Sequence, residues 1–336
     1  MHRLPDYPQL LALAPTTLRN FRLRRYHGDD QAVDVDAFAD DDARVIRRLY
    51  DFLQGLFVIL KDEGEARANA FRWHVQGEEI ETLFGQVGRL GIATLATDET
   101  PLFGQVLHDV RGGGLTCILG QIEMWKLGAP GHGLFDTLYY LVRDHLKIMR
   151  NALLGLDDPR RSADLEIKIH GSDLILKRWD GLRVKAGDDR EIQVEVECPS
   201  TLAIAECCVE FGALDRILYN LLNNARRHTS SGRVRLVLFP VPDEAGAIAR
   251  FVLLNVLGEQ DRARLAKTNF QTLFRSGVST TGSGFGLAVV AGFVANAFGI
   301  AQPADAVKKG YLGATLLDDQ FAIWFHWPIV PESVPA

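Results

Sequence analysis

The spacing of hydrophobic and polar positions divides the chain into a helical part and a mixed part, which meet near residue 157. From about Asp40 to Leu90, apolar residues recur every three or four positions, which is the period of an amphipathic helix. One such face contains Val45, Ile46, Leu49, Leu53, Leu56 and Phe57. Residues 1–100 are therefore predicted to form a mainly helical segment.

Two longer helices are predicted after this segment, from about Pro101 to Leu127 and from Leu134 to about Leu154. Residues 128–133 between them are rich in glycine and include a proline, a combination that interrupts helices. Two helices of about 20 residues joined by so short a loop favour an antiparallel hairpin. A hairpin by itself leaves an apolar face exposed, so we expect a second copy of the chain to pair with it in a dimeric four-helix bundle.

The pattern changes after Asp157, Asp158 and Pro159, which are typical of a linker. Short apolar runs, some alternating with polar residues, predict strands over about 165–169, 192–198, 234–239, 249–256 and 321–328. Helices are predicted from about Leu214 and from about Gly286 to Phe298. Residues 157–336 are thus expected to be an α+β domain that follows an all-helical part.

Composition narrows the class of protein. The chain has 336 residues, 47% of them hydrophobic, and a formal net charge of −6, which argues against nucleic acid or an anionic membrane as the main partner. Its four cysteines include no CxxC pair, which favours a reducing compartment. No stretch approaches the ~20 apolar residues that a membrane helix needs. We expect a cytoplasmic protein without a membrane span.

The helix near residue 220 carries the first candidate chemistry. Asn220 and Asn224 are four residues apart and so share one helix face, which His228 continues with Arg227 beside it. Asparagine is a poor helix former, and its amide oxygen suits a hard cation such as Mg²⁺. Arg227 or His228 could face phosphate oxygens. On these residues alone, a magnesium and phosphate site and an ordinary solvated helix face are equally good interpretations.

A glycine run opens the later helix. Gly282, Gly284 and Gly286 would let the backbone approach a phosphate closely, and the helix that starts before Leu287 presents free N–H groups and a positive dipole end. Glycine-rich turns before helices are common, so this run by itself indicates little.

The order of these elements is more specific than any one of them. An asparagine helix, a β-hairpin, a Phe followed by Ser-Thr, and then GxGxGL resemble the Bergerat-fold ATPase domain that histidine kinases share with gyrase-type ATPases, over about Asp164 to Pro328. The resemblance implies a C-terminal α/β sandwich that binds ATP with Mg²⁺. It implies that Asn224 is the metal ligand and that Asn255 replaces the family's adenine-binding Asp, with a weaker, uncharged hydrogen bond. The remaining residues implied to line the site are Asn220, Arg227, His228, Phe274, Ser279, Thr280, Gly282, Gly284, Gly286 and Leu287.

Upstream, His108-Asp109-Val110-Arg111 resembles the phosphoacceptor motif of histidine kinases. The resemblance implies that the His108 imidazole attacks the terminal phosphoryl group of ATP. Asp109 could orient the ring or take its proton, and Arg111 completes the motif.

Gly112–Gly114 stands where the family has a small residue and a proline. Each mid-helix glycine costs about 1 kcal/mol, so we expect a bend here. The alternative is that the helix begins only after Gly114, which would leave His108 in a loop. His145, which follows Asp144, is a second candidate phosphoacceptor.

Together these features predict a dimeric sensor histidine kinase of a two-component pathway. Residues 1–100 would be regulatory, 101–156 the dimerisation and phosphoacceptor hairpin, and 157–336 the ATP-binding domain. The partner would be the receiver domain of a response regulator, whose aspartate receives the phosphoryl group. The alternatives are a histidine phosphotransferase or a pseudokinase scaffold, each with a degenerate ATPase-like domain.

Overall fold

The computed structural model describes residues 6–15, 17–22, 32–97, 101–128, 133–156, 158–161, 168–185, 190–206, 209–241, 248–275 and 286–330. Within this part of the chain, no helix is long and apolar enough to cross a membrane.

The amino-terminal part is helical, as predicted. Its helices are α1 (Tyr7–Leu11), α2 (Asp40–Lys61), α3 (Gly64–Val75), α4 (Glu78–Val87) and α5 (Ile92–Thr97). The long helix α2 begins with three aspartates, which suit the positive end of the helix dipole. One of them, Asp42, is buried and accepts hydrogen bonds from the backbone N–H groups of Gly91 (2.8 Å) and Thr94 (2.9 Å). This carboxylate ties the start of α2 to the start of α5.

The helix predicted from Pro101 to Leu127 is two helices in the structure. They are α6 (Pro101–Val110) and α7 (Gly113–Lys126), and the chain turns between them at Arg111 and Gly112. The expected bend at the glycine run is therefore confirmed. The alternative that placed His108 in a loop is wrong, because His108 lies in the last turn of α6.

The second helix of the hairpin, α8 (Leu134–Ala152), buries an apolar face that includes Leu138, Leu141, Val142, Leu146 and Met149. Helices α2, α6 and α7 of the same chain pack against α8. The ring of Phe57 on α2, for example, stacks on that of Tyr139 with 5.3 Å between centroids. The apolar face that we expected a second copy to cover is thus covered by α2. The homodimer stays a prediction, but that argument for it is wrong.

The carboxy-terminal part is built on a mixed sheet. Its strands are β4 (Arg183–Lys185), β5 (Glu191–Glu197), β7 (Thr229–Pro240), β8 (Ile248–Leu257), β9 (Leu312–Leu317) and β10 (Gln320–Pro328). Among the described residues their order in the sheet is β4-β5-β7-β8-β10-β9, with β5 and β7 parallel and the other neighbours antiparallel. Two short pairs lie outside it: β1 (Val33–Asp34) with β2 (Leu153–Leu154), and β3 (Ile169–Gly171) with β6 (Ala203–Ala205).

Helices cover one face of this sheet. The two main ones are α10 (Phe211–His228) and α12 (Gly286–Phe298), which pack against each other and against β8 and β10. The shorter elements are α9 (Ser172–Leu176), α11 (Glu259–Leu265), α13 (Pro303–Lys308) and a 3₁₀ turn at Phe270–Phe274. The predicted fold class, a helical part followed by a mixed α/β sandwich, is confirmed.

The opposite face of the sheet is covered by residues 6–15, which we call the strap. Val252 and Trp324 of the sheet pack on Leu10 of the strap. Arg250, which is fully buried, donates to four strap carbonyl groups. These belong to Leu10, Leu11, Ala14 and Pro15, at 2.7, 2.5, 3.1 and 3.4 Å.

Candidate functional site

The asparagine helix has the two faces that its sequence predicts. The buried face of α10 consists of Ala213, Leu214, Ile217, Leu218, Leu221, Leu222 and Ala225. Asn220 and Asn224 lie on the other face and are partly exposed. Their amide groups are therefore available to a ligand, while the apolar face fixes the helix to the core.

Asn224 lies beside the start of α12. A Cβ atom built on Gly286 would be 4.0 Å from Asn224 Nδ2. The amide thus faces the start of α12, and the first N–H groups of a helix have no partner within the helix and suit an anion. Leu287 is partly buried and packs on the core at the same end of α12. Ser279, Thr280, Gly282 and Gly284 lie outside the described residues.

Asn255 is on β8, on the sheet face that carries the helices. It has the same orientation as Phe251 and Leu253, which belong to the core under α10 and α12. In the ladder it pairs with Val234 of β7 and Phe321 of β10. Its residue exposure is 3%, and Asn255 Nδ2 has no hydrogen-bond partner among the described residues.

A carboxamide at this position has the chemistry to pair with a purine base. A carboxamide can accept from the amino group of adenine and donate to a ring nitrogen at the same time, which is the pairing that asparagine makes with adenine elsewhere. A carboxylate in this position could only accept. The replacement of the family's Asp by Asn255 is therefore compatible with purine binding.

Three further residues predicted to line the nucleotide site are Phe274, His228 and Arg227, and they differ in how accessible they are to a ligand. Phe274 is buried at the end of the 3₁₀ turn, which packs on α12. His228 Nδ1 is 3.4 Å from Asp261 Oδ2 of α11, so its ring is already paired. Arg227 is exposed. Phe274 thus anchors the region behind α12, and of the two basic residues Arg227 is the more available to a phosphate.

Magnesium is bound in proteins through oxygen ligands. Among the described residues there is no group of three His, Cys, Asp or Glu side chains that could hold a metal. An ion held by the amide oxygen of Asn224 together with phosphate oxygens, as Mg²⁺ is commonly bound beside nucleotides, would need no such group.

His108 and Asp109 point in different directions. The His108 side chain is 35% exposed, whereas Asp109 is 2% exposed. The Asp109 carboxylate accepts from Arg22 Nε (3.3 Å) and Arg22 Nη2 (3.1 Å), and Arg22 is equally buried. His108 Nδ1 lies 3.7 Å from Asp109 Oδ1, beyond hydrogen-bond distance. The acid predicted to serve His108 is thus held by an arginine.

The other residues near the motif contribute less. Arg111 donates from Nε to the Leu107 carbonyl oxygen (3.4 Å) at the end of α6. His145 is completely buried, and burial together with the charge of Arg22 lowers its pKa to about 4. It has no access to a nucleotide in this structure, which leaves His108 as the candidate phosphoacceptor.

The structure does not bring His108 to the region around Asn224 and Gly286, which we call the asparagine site. A Cβ atom built on Gly112 would lie 3.2 Å from the His108 carbonyl oxygen and 3.9 Å from Asn296 Oδ1. The backbone of His108 is therefore close to Asn296, near the carboxy-terminal end of α12, which we call its distal end. Gly286 and Asn224 are at the proximal end. Ten residues of α helix separate Gly286 from Asn296, a length of about 15 Å. In-line transfer needs contact at about 3 Å.

Sequence reasoning missed Arg22. It lies in an arginine-rich stretch 87 residues before its partner, and nothing in the local pattern distinguishes it from its neighbours.

Comparison with known proteins gives distant matches in structure alone: no family model and no curated protein matches the chain. One solved structure is full-length ShkA in complex with AMPPNP, with 22% identity over 61% of this chain and 39% of that chain and a TM-score of 0.35. Another is the Acinetobacter baumannii histidine kinase AdeS, with 14% identity over 64% and 95% and a TM-score of 0.30. A third is histidine kinase ThkA in complex with response regulator protein TrrA, with 12% identity over 77% and 69% and a TM-score of 0.29.

This chain spans about two fifths of the ShkA structure. Two of these structures, AdeS and ThkA, are named as histidine kinases, the family that the motifs of this chain resemble. All three TM-scores are below 0.5, so the matches do not define the activity of this chain.

Proposed function

We propose that this chain is an ATP-dependent protein-histidine kinase that phosphorylates His108 and passes the phosphoryl group to a response-regulator aspartate. One observation carries the proposal: Asn224 of α10 faces the start of α12 at Gly286. Two motifs that are some sixty residues apart in the sequence therefore meet at a helix end suited to phosphate.

Each residue of this site has a defined task in the proposal. Asn255 binds the adenine edge through its buried amide, and Asn224 holds Mg²⁺. Asn220 and Arg227 face the phosphates from the exposed side of α10, and the N–H groups at the start of α12 bind them. The magnesium ion supplies positive charge that offsets the charge on the transferring group.

His108 supplies the nucleophile. Its Nδ1 faces Asp109, so the lone pair that attacks phosphorus is on Nε2. The new N–P bond forms as the bond from phosphorus to the leaving oxygen of ADP breaks, and that oxygen keeps the electron pair. The ring then loses the Nδ1 proton to Asp109 or to solvent.

The partner and the domain roles follow from this chemistry. The His108 side chain is partly exposed and so accessible to a receiver domain, a partnership of the kind seen between ThkA and TrrA. Residues 101–156 would dock that partner, 157–336 would bind ATP, and 1–100 would regulate. A cytoplasmic homodimer is part of the same proposal.

The test is incubation of the purified chain with Mg²⁺ and γ-labelled ATP. Acid-labile, base-stable label should appear, should be absent in His108→Gln, and should fall by about 10²-fold or more in Asn224→Ala, because positioning and charge stabilisation are lost. The matched controls are His74→Gln and Asn223→Ala, which change the same residue types outside the predicted site.

Other outcomes identify the alternatives. Label that arrives only from a phosphorylated response regulator would indicate a histidine phosphotransferase. No label by either route would indicate a scaffold, and the kinase proposal would be abandoned.

A further inference from the structure

Residues 17–22, which we call the arm, lie between the phosphoacceptor helix and the distal end of α12. The backbone N–H of Phe21 donates to the carbonyl of Phe298 (3.0 Å), the last residue of α12. Gln105 Nε2 on α6 donates to the Phe21 carbonyl (3.3 Å). The arm therefore holds both helices at once.

The end of α12 is shaped for the arm. Gly299 has φ of +69°, a conformation that L side chains rarely adopt. A Cβ there would lie 3.0 Å from Arg22 Cγ and 3.2 Å from Phe21 Cβ. Only glycine allows the chain to turn out of α12 with the arm packed directly on it.

Arg22 ends the arm in a buried ion pair with Asp109. Both side chains are 2% exposed, so the pair is shielded from water and from salt. Phe21, the residue before it, lies beside the His108 ring, with 6.3 Å between centroids. The arm thus reaches the phosphoacceptor motif from outside the hairpin.

We propose that Arg22 is a positioning residue that holds the phosphoacceptor helix in a resting state. The pair with Arg22 takes the charge of Asp109, so this carboxylate is a poor acceptor for the His108 Nδ1 proton. The same contact helps to hold α6 at the distal end of α12, with about 15 Å of helix between that end and Gly286. Release of the arm would remove both restraints. Asp109 could turn toward His108, and α6 could move toward the asparagine site. This inference rests on the proposed kinase function.

The experiment compares the rate of His108 phosphorylation in the wild type with Arg22→Gln. We expect Arg22→Gln to be at least roughly fivefold faster, a fraction of the 10²- to 10⁴-fold that general base catalysis provides. Arg22→Lys keeps a positive charge near Asp109 but loses the two-fold hydrogen bonding of the guanidinium, so its rate should lie between those of the wild type and Arg22→Gln. Arg19→Gln is the matched control, because Arg19 belongs to the same arm, is exposed and stacks on Phe21 instead.

The faster phosphorylation expected in Arg22→Gln must depend on Asp109. In an Asp109→Asn background, Arg22→Gln should give no acceleration, a coupling that a double-mutant cycle measures. A merely structural arginine would destabilise the protein without such coupling.

A second readout does not depend on activity. Ring ¹⁵N shifts of His108, assigned by comparison with His108→Gln, report the tautomer. Arg22→Gln should raise the population with Nδ1–H and a free Nε2 lone pair, because Arg22 no longer competes with His108 for the Asp109 carboxylate. If no variant takes label, the kinase proposal fails while this shift still decides the role of Arg22.

Loss of a buried partner can unfold a protein, so Gln105→Ala provides a milder release of the arm. It removes the hydrogen bond from α6 to Phe21 without unpairing a charge and should change the rate in the same direction. A folded Arg22→Gln or Gln105→Ala with a rate at or below the wild type, or an unchanged His108 tautomer in Arg22→Gln, would overturn the proposal.

Discussion

At the residue scale, His326 shows how a buried side chain is fixed in one protonation state. Its Nδ1 donates to the Tyr311 carbonyl (2.9 Å), and its Nε2 accepts from Arg250 Nε (3.0 Å). Burial, together with the charge of Arg250, lowers the pKa of His326 to about 3. The neutral ring is thus part of the structure that carries the strap.

This arrangement makes stability depend on pH. The pKa of histidine in the unfolded chain is about 6.5. As the pH falls below this value, the unfolded chain binds a proton that His326 in the folded chain does not. The free energy of unfolding therefore decreases by up to about 1.4 kcal/mol per pH unit because of this group. We expect the stability advantage of the wild type over His326→Gln, measured by urea unfolding, to shrink between about pH 6.5 and pH 4. The other titrating groups are present in both proteins, so their contributions cancel in the difference between the two free energies of unfolding. An advantage that is constant with pH would contradict this account.

At the element scale, the glycine run of α7 is explained by close packing. The N–H of Gly114 donates to Asn296 Oδ1 of α12 (2.5 Å), and a Cβ on Gly114 would lie 2.1 Å from Asn296 Nδ2. Asn296 is itself buried, so it cannot move away without losing that hydrogen bond. The run therefore serves the contact between α7 and α12 as well as the turn at residue 112.

We predict opposite effects for two alanines on α7. Gly114→Ala should lower the free energy of unfolding by about 1–3 kcal/mol, because it displaces the Asn296 amide. Gly120→Ala, on the same helix with nothing within 4 Å of its added Cβ, should raise it by about 0.5–1 kcal/mol through helix propensity. Chemical denaturation of both variants measures this, and equal signs would refute the packing explanation.

The elements that sequence predicted well are those with a local signal. The apolar face of α10, the start of α12 and the closing strand β10 all follow from periodicity. The pattern indicates that α8 has an apolar face but not which helix covers it. That is why α2 was not expected there and a second copy was.

At the scale of the whole molecule, the strap depends on one arginine. Arg250 is buried and bonds to four strap carbonyls and to His326, whereas Arg233 on the neighbouring strand β7 is 74% exposed and pairs with Glu195. The two arginines lie on the same sheet in opposite environments.

Arg250→Met should therefore cost about 3 kcal/mol or more, because several buried carbonyls lose their donor. Arg233→Met should stay within about 1 kcal/mol, as exposed ion pairs do. Thermal unfolding compares the two, and limited proteolysis of residues 6–15 should accelerate only in Arg250→Met. A similar loss in both variants would show that the strap is not held by Arg250.

The proximity of Asn224 to Gly286 was predictable from the sequence, whereas the pairing of Asp109 with Arg22 was not. Asn224 and Gly286 belong to motifs with local spacing, and the fold brings them together. The pairing of Asp109 with Arg22 depends on where residues 17–22 cross α6, and long-range packing of this kind leaves no trace in local periodicity.

The path of the strap also has a consequence for how the molecule is assembled. Leu10 and Arg250 are 240 positions apart, and β10, which lies beside the strap, ends only at Pro328. Residues 6–15 thus leave the ribosome long before the surface that receives them exists. Their docking must be among the last events of folding, so a closed strap marks a sheet whose final strand is already in register.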